Sequence, residues 1–270
     1  MITKEELLRL QQDEDFQLKK VKDDKFSIQY IHNPSEKVQL VAVKQNGYML
    51  QYIHNPSEKV QLEAVKQDGR SIQYIPNPSE EVQLEAIKQD AYSIKHIKNI
   101  SEEVQLAAVK QNGMSIQYIH NPSEEVCLEA VKQDGRAIQY IYNPSEKVQL
   151  SAVKQNGYSI QFIPNPSENI QLEVVKQDGL LIRYIHNPSK KVCLEAVKQN
   201  GLSIKYINKL SEIMNLETVK HNGVLIRYIN KSLKDIYLES LTEENCDEVI
   251  KYIDIEKYPD IYEKYCFMKM

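Results

Sequence analysis

The chain has 270 residues, of which 41% are hydrophobic and 27% are charged, and its formal net charge is −4. This apolar content suffices for a packed core, so the composition excludes a disordered or fibrous chain, and four cysteines exclude a small disulfide-stapled protein. The acidic balance also argues against a dedicated nucleic-acid-binding domain, since such domains are usually basic.

Residues 1–32 are predicted to form an N-terminal cap that includes a degenerate repeat. The chain begins with a polar segment, Met1 to Leu8, which lacks the apolar stretch of a signal peptide. The sequence has no apolar run of the ~18 residues that a membrane-spanning helix needs. We therefore expect a cytoplasmic protein with no membrane interaction and with reduced cysteines.

Residues 33–230 consist of nine contiguous repeats of 22 residues. All eight glycines share one phase of the repeat, and nine of the ten prolines lie at the junctions. A degenerate repeat and a C-terminal cap follow in residues 231–270, which gives about eleven repeats in all. The junction motif Asn-Pro-Ser-Glu begins at residues 33, 55, 77, 121, 143 and 165, with close variants at 99 and 187.

The junction motif predicts where a helix begins in each repeat. We expect Asn55 to be the N-cap, Pro56 the first helical residue and Glu58 the third position of a capping box. Gly69 suits the left-handed position past the helix end. The first helix then covers about residues 57–68, and a second, short helix covers about residues 70–75.

These elements predict an all-α protein, an α-solenoid of about eleven helix-turn-helix repeats. The alternative is a leucine-rich-repeat-like α/β solenoid, because the period is similar and the segment from Ile72 to Asn77 faintly matches the strand pattern of such repeats. The all-helical interpretation is favoured because the first helix has no leucine ladder leading into a strand.

The first helix has a broad apolar arc, as expected for a helix between two neighbours. Val60, Ala64 and Val65 lie in this arc with Leu62, while the Lys66 phase meets water. Gln61 also falls in the arc, so we predict its partial burial and a ladder of glutamine amides that hydrogen-bond between repeats.

The segments 108–118 and 152–162, of the form Ala-Val-Lys-Gln-Asn-Gly-x-x-Ile-Gln-Tyr/Phe, resemble a repeat of unknown function. That repeat is common in proteins of giant amoeba-infecting viruses such as mimivirus and has relatives in some protists and bacteria. The resemblance covers residues 11 to about 253 and implies an all-helical repeat protein. It implies no activity, and the compact His-Asn-Pro-Ser-Glu junction departs from the usual pattern.

Two ladders of side chains raise the alternative of a nucleic-acid-binding solenoid. Lysine occupies every repeat at one phase, from Lys44 to Lys220, but a glutamate three residues earlier accompanies most of these lysines and should neutralise them. Tyrosine recurs from Tyr30 to Tyr228 and is interpreted as aromatic core between repeats rather than as a stacking platform. The histidines before the junction read as exposed positions that share no metal.

The chain has no phosphate-binding loop and no set of catalytic residues, so we predict that it is not an enzyme and that it uses no metal or cofactor. The expected function is a scaffold or adaptor that binds a viral or host protein, in the cytoplasm or viral factory of a giant virus's host. Some positions of the second helix differ from repeat to repeat, and in the C-terminal half of the chain they are mostly apolar or basic residues. Tyr and Arg, which also occur at these positions, are typical interface residues. The candidate binding surface is Tyr158, Leu180, Arg183, Leu202, Lys205, Val224 and Arg227.

Overall fold

The computed structural model describes residues 4–207, 246–250 and 259–270. The chain divides into two compact units, Met1–Tyr142 and Asn143–Met270, and their boundary in the sequence is a repeat junction. The ninth predicted repeat lies outside the described residues, and so do Val224 and Arg227. The predicted boundaries of the caps, at residues 32 and 231, stay predictions.

Each repeat that the structure describes is a three-turn α-helix followed by a short 3-10 helix, which confirms the all-helical fold. The described residues contain no β-strand, so the leucine-rich-repeat alternative is wrong. The first unit has the helices α1 Lys4–Gln12, α2 Glu14–Asp23, η1 Lys25–Tyr30, α3 Glu36–Gln45, η2 Gly47–Tyr52, α4 Glu58–Gln67, η3 Gly69–Tyr74, α5 Glu80–Gln89, η4 Ala91–His96, α6 Glu102–Gln111, η5 Gly113–Tyr118, α7 Glu124–Gln133 and η6 Gly135–Tyr140.

The second unit continues the same alternation. Its helices are α8 Glu146–Gln155, η7 Gly157–Phe162, α9 Glu168–Gln177, η8 Gly179–Tyr184, α10 Lys190–Gln199 and η9 Gly201–Tyr206, and two C-terminal helices cover Cys246–Val249 and Pro259–Met268. Within each unit, successive α-helices contact one another and so do successive 3-10 helices. Each unit is therefore a stack of helix pairs, as in an α-solenoid.

The α-helices begin two residues later than predicted. The N-cap of α4 is Ser57, and Glu58 is its first residue. Asn55 is not the cap, because it has a φ of 49° and turns the chain before Pro56. The prediction was wrong because a serine hydroxyl can also cap, and in most repeats it does: the Ser79 Oγ accepts the backbone N–H of Val82 at 3.4 Å.

The glycine phase serves close packing rather than a left-handed turn. Gly69 is the first residue of η3, and positive φ angles occur at none of the described glycines. A Cβ on Gly69 would overlap the carbonyl oxygen of Ala86 in the next repeat and lie 2.9 Å from the Oγ of Ser93. The predicted C-terminal role of Gly69 is thus wrong, because the neighbouring repeat, not the local backbone, requires a residue without a side chain.

A side-chain cap also starts the 3-10 helices. The carboxylate of Asp68 accepts the N–H of Arg70 at 2.9 Å, and Asn46 caps η2 in the same way. Each 3-10 helix then ends at an isoleucine; the N–H of Ile75, for example, donates to the carbonyl oxygen of Ile72. Six residues exceed the usual three or four of such helices, whose hydrogen bonds are poorer than those of an α-helix.

The core follows the predicted phases. Val60, Ala64 and Val65 are fully buried, as is Ile72 of the 3-10 helix, while Leu62 and Gln61 are half-buried. The predicted amide ladder is wrong, because the Gln61 Nε2 donates to the carbonyl oxygen of Pro56 in its own repeat, at 2.9 Å. This bond closes the junction loop against its own helix.

Two other polar side chains join neighbouring repeats. The Ser57 Oγ donates to the carboxylate of Glu36 at 2.7 Å, and equivalent serine–glutamate bonds recur along both units. In several α-helices the last glutamine reaches the previous repeat: the Oε1 of Gln133 accepts the N–H of Gly113, and the Oε1 of Gln199 accepts that of Gly179, both at 2.6 Å. None of the described helices is long and apolar enough to cross a bilayer.

Candidate functional site

The described part of the predicted binding surface lies on three successive 3-10 helices of the second unit. Tyr158 and Leu202 are the second residues of η7 and η9 and are 44% and 40% exposed. Leu180 is the second residue of η8 and is half-buried, and Arg183 and Lys205 are exposed on η8 and η9. Five of the seven predicted residues therefore fall on one type of element in one unit.

The tyrosine phase is not core, contrary to the prediction. Tyr30 and Tyr206 are 46% and 43% exposed, whereas Tyr52 and Tyr74 are half-buried. The buried positions of the 3-10 helix are instead the third and fourth residues, such as Ser71 and Ile72. A six-residue helix has room for only one inward edge, and the small and β-branched side chains occupy it.

Half-buried and exposed tyrosines make aromatic pairs between successive repeats. The ring of Tyr158 meets that of Tyr184 edge to face, with 6.0 Å between centroids and 60° between planes. The first unit has the same arrangement at Tyr48–Tyr74 and at Tyr92–Tyr118, each at 5.9 Å. Arg183 lies with its guanidinium 4.8 Å from the centroid of the Tyr184 ring. These contacts pre-order a surface of half-exposed rings and cations.

The stretches from the start of each 3-10 helix to the second residue past its end, which we call the 3-10 segments, contain no Asp or Glu. In the second unit they are residues 157–164, 179–186 and 201–207, and in the first unit they begin at residues 25, 47, 69, 91, 113 and 135. The acidic residues of the repeats lie instead on the α-helices and at the caps. Although the chain is acidic overall, the 3-10 segments are neutral or basic: they carry Lys25, Arg70, Lys95, Lys98, Arg136, Arg183 and Lys205.

The cap aspartates neutralise part of this charge in the first unit. Arg70 bonds to Asp90 at 2.7 Å, and Arg136 bonds to Asp134 at 2.8 Å. The hydrogen bond from Arg136 lowers the pKa of Asp134 below its ordinary value, outweighing the opposing effect of burial. Among the described repeats of the second unit, the cap residues are Asn156, Asp178 and Asn200. The second unit therefore has fewer cap carboxylates beside its basic residues.

The lysine ladder is exposed on the α-helices rather than on the 3-10 segments. Lys88 pairs with Glu85 at 3.8 Å, and Lys132 pairs with Glu129 at 3.6 Å, as the spacing of three residues predicts. These are exposed pairs and contribute little to stability. Lysine and tyrosine ladders thus belong to different elements.

A cleft recurs at the junction between neighbouring repeats. In the second unit, a cleft of about 640 Å³ lies between Phe162 and Tyr184, and the next one, of about 490 Å³, lies beside Arg183 and Tyr206. Similar clefts of about 530 and 590 Å³ occur in the first unit. No acidic residue lines these four clefts.

The junction histidines are exposed, as predicted, and several line the clefts. His54 and His186 are examples, one in each unit. The described residues hold no group of three or more His, Cys, Asp or Glu that could bind a metal ion. All four cysteines are described and none of them forms a disulfide bond, and burial raises the pKa of the Cys127 and Cys193 thiols.

Sequence reasoning missed the clefts and the last glutamine of the α-helices. That glutamine recurs unchanged from Gln45 to Gln199, and its constancy was the available signal. The clefts gave no local signal, because their walls come from two repeats.

Comparison with protein families gives one match. Residues 79–122, 101–144 and 167–211 each match a family described as Domain of unknown function (DUF4116). The matched segments are two repeats long and begin at Ser79, Ser101 and Ser167, the N-caps of three α-helices. Comparison with curated proteins gave no match, and neither did comparison with solved structures. The chain is thus a helical repeat protein of unknown function, similar to that family over part of its length.

Proposed function

We propose that the chain is a non-enzymatic adaptor that binds other proteins through the 3-10 segments. The observation that carries this proposal is a contrast within each repeat. The buried frame hardly changes, whereas the second residue of the 3-10 helix, which is exposed or half-buried, varies among Tyr, Arg, Met and Leu, as at Tyr158, Leu180 and Leu202. Variation on a constant frame is how repeat proteins acquire extended binding surfaces.

The setting that we propose is the infected cell of a giant amoeba-infecting virus, in the cytoplasm or the viral factory, with a viral or host protein as partner. The resemblance of residues 108–118 and 152–162 to the viral repeat supports this origin. The absence of an acidic residue from the clefts, beside exposed Tyr and Arg, supports a protein partner because such side chains are enriched in interfaces.

Affinity purification from infected cells tests this proposal. The tagged full chain and a tagged chain with the repeats shuffled in sequence would be expressed during infection, crosslinked and analysed by quantitative mass spectrometry. We expect one or a few proteins enriched at least tenfold on the native chain, a threshold of about 1.4 kcal/mol. Equal recovery on both chains would refute the adaptor function.

Nucleic-acid binding is the second candidate, and the exposure of Tyr30, Tyr140 and Tyr206 favours it. The lysine ladder does not reinforce these tyrosines because it belongs to the α-helices. A gel shift with mixed single-stranded DNA and RNA over a salt series separates the two functions. A shift that weakens steeply with salt would support this candidate, and no shift at low salt would exclude it.

A further inference from the structure

Two neighbouring clefts in the second unit adjoin each other. The first is lined by Phe162, Pro164 and Gln171 together with Tyr184, and the second by Arg183, Cys193 and Tyr206. His186 and Asn187 line both clefts, so the two share a wall. Each cleft is large enough for one apolar side chain, and both open at the surface.

The first cleft contains a buried acceptor without a donor. The Nε2 of Gln171 donates to the carbonyl oxygen of Pro166 at 2.9 Å, but its Oε1 is buried and has no hydrogen-bond partner. A buried acceptor without a partner is costly. This oxygen has almost no accessible surface, so a ligand N–H reaches it only if the Gln171 side chain rotates toward the cleft; that contact would remove the cost.

The charge around the two clefts selects an anionic ligand. Their lining includes no Asp or Glu, and Arg183 contributes to the second cleft. Lys205 is exposed on the adjacent η9. A ligand with carboxylates beside its apolar groups is complementary to this surface.

The spacing of the clefts points to an extended peptide. Packed helices lie about 8–10 Å apart, so adjacent repeats present equivalent clefts at about that spacing. A polyproline II segment advances about 3.1 Å per residue and repeats its side-chain direction every three residues, or about 9.3 Å. Aromatic-lined grooves are also the known receptors for this conformation.

We infer that these clefts bind an acidic peptide segment in the polyproline II conformation, with one apolar side chain per cleft at every third residue. Arg183 and Lys205 pair with the acidic side chains, and a peptide N–H donates to the Oε1 of Gln171. This inference rests on the proposed adaptor function and specifies the surface and the chemistry of the partner.

The geometry of the tyrosines favours a peptide over single-stranded nucleic acid. Tyr158 and Tyr184 are in edge-to-face contact with each other, and the Arg183 guanidinium covers part of the Tyr184 ring. A base that stacks needs an open ring face. The 3-10 segments of this unit also hold only Arg183 and Lys205 as strong cations in the described residues, which is few for a phosphate backbone.

The test uses fluorescence anisotropy with the full chain and a labelled twelve-residue peptide made of four Glu-Pro-Leu triplets. We expect it to bind at least about tenfold more tightly than a peptide of the same composition without the three-residue period, and than one with Lys in place of Glu. Equal binding of the three peptides, no binding of the periodic peptide up to 1 mM, or tighter binding of a twelve-nucleotide single strand would each overturn the inference.

Three variants locate the binding site. Arg183→Glu should weaken binding of the periodic peptide at least about tenfold, while Lys176→Glu, the same charge reversal at an exposed α9 position outside both clefts, should change it less than about twofold. Gln171→Cys should weaken binding of the periodic peptide severalfold, because the variant lacks the amide oxygen that accepts the peptide N–H. Cys193 is buried at the same phase of the next repeat, which shows that this phase accepts cysteine. Circular dichroism melting confirms that each variant folds. Equal affinity of wild type and Arg183→Glu would overturn the inference.

The same variants separate this inference from the adaptor function. If Arg183→Glu still recovers the proteins enriched from infected cells, the chain is an adaptor that uses another surface. If the wild-type chain enriches no protein but binds the periodic peptide, the receptor exists and the adaptor proposal fails.

Discussion

In most repeats one position is glycine because the neighbouring repeat leaves no room for a Cβ atom. The Cα of Gly69 faces the backbone of the next repeat so closely that a Cβ would overlap the carbonyl oxygen of Ala86. The same overlap exists at Gly47, Gly113 and Gly179 with the alanine oxygen of the following repeat. Ala91 occupies this phase and is buried, so that one junction accommodates a methyl group.

Gly69→Ala should lower the free energy of unfolding by about 1–3 kcal/mol, because backbone atoms must move to admit the methyl group. Urea unfolding monitored by circular dichroism measures the change. Gln73→Ala, at an exposed position of the same 3-10 helix, is the control for a local substitution to alanine. A loss no larger than that of the control would contradict the packing argument.

Ser71→Ala should leave stability unchanged within about 0.5 kcal/mol or raise it slightly. The Ser71 Oγ is buried and has no hydrogen-bond partner, and Ala137 already stands in this phase in another repeat. The converse change, Ala137→Ser, should be neutral or slightly destabilising for the same reason. A loss above about 1 kcal/mol in Ser71→Ala would reveal a hydroxyl contact that the structure lacks.

At the scale of the element, polar side chains at the helix ends both start a helix and attach it to its neighbour. The serine before each α-helix donates to a glutamate of the previous repeat, and most of these serines also cap their own helix. Ser57 makes the link to Glu36 without a side-chain cap bond. A substitution of Ser57 therefore tests the link between repeats without removing a side-chain cap bond.

A double-mutant cycle of Ser57→Ala and Glu36→Gln should give a favourable coupling free energy, measured by urea unfolding. The hydrogen bond from Ser57 and then that from Lys59 lower the pKa of Glu36, which shows that the charged carboxylate is the preferred acceptor. The cycle of Ser57→Ala with Glu58→Gln, which removes no contact between the two residues, is the control. Equal coupling in the two cycles would exclude a contribution from the link.

The carboxylate of the cap residue Asp134 should make the stability of the protein depend on pH in the acid range. The folded-state pKa of Asp134 lies below its ordinary value of 3.8, so its contribution is fully present above pH 3.8 and is lost as pH falls through the lower folded-state pKa. Asp134→Asn should retain the cap, because Asn112 caps η5 in the same way, and should flatten the acid limb of the stability curve. Urea unfolding between pH 2 and pH 6 tests this. Parallel curves for wild type and variant would contradict it.

At the scale of the whole molecule, stability should accumulate repeat by repeat. Contacts within each unit join neighbouring repeats, and the hydrogen bonds between repeats recur in register. Such molecules behave approximately as sums of repeat and interface terms. We therefore expect the protein to tolerate the deletion of a whole repeat but not of part of one.

Deleting residues 69–90 should leave a folded protein, because it removes one complete period and joins Asp68 to Ala91, which is preceded by an aspartate in the native chain. The helical signal per residue should be preserved, and the urea m value should fall in proportion to the surface removed. Deleting residues 69–79, half a period, should unfold at least the first unit because it brings non-equivalent faces together. Equal behaviour of the two deletions would refute repeat-wise accumulation.

The period, the order of the two helices and the buried phases of the α-helix were determined by the sequence alone. These properties depend on contacts within one repeat, such as the apolar arc of Val60, Ala64 and Val65, so local polarity and spacing suffice. The described residues of the candidate surface lie on the 3-10 helices, and whether they bind a partner stays a prediction.

The tertiary structure alone decided what depends on the next repeat in the stack. It replaced Asn55 by Ser57 as the cap, gave Gly69 a packing role and placed the tyrosines at the surface in edge-to-face pairs. It also formed the clefts, whose walls come from two repeats. The physical reason is that these features depend on distances between residues about one repeat apart, which side-chain periodicity does not fix.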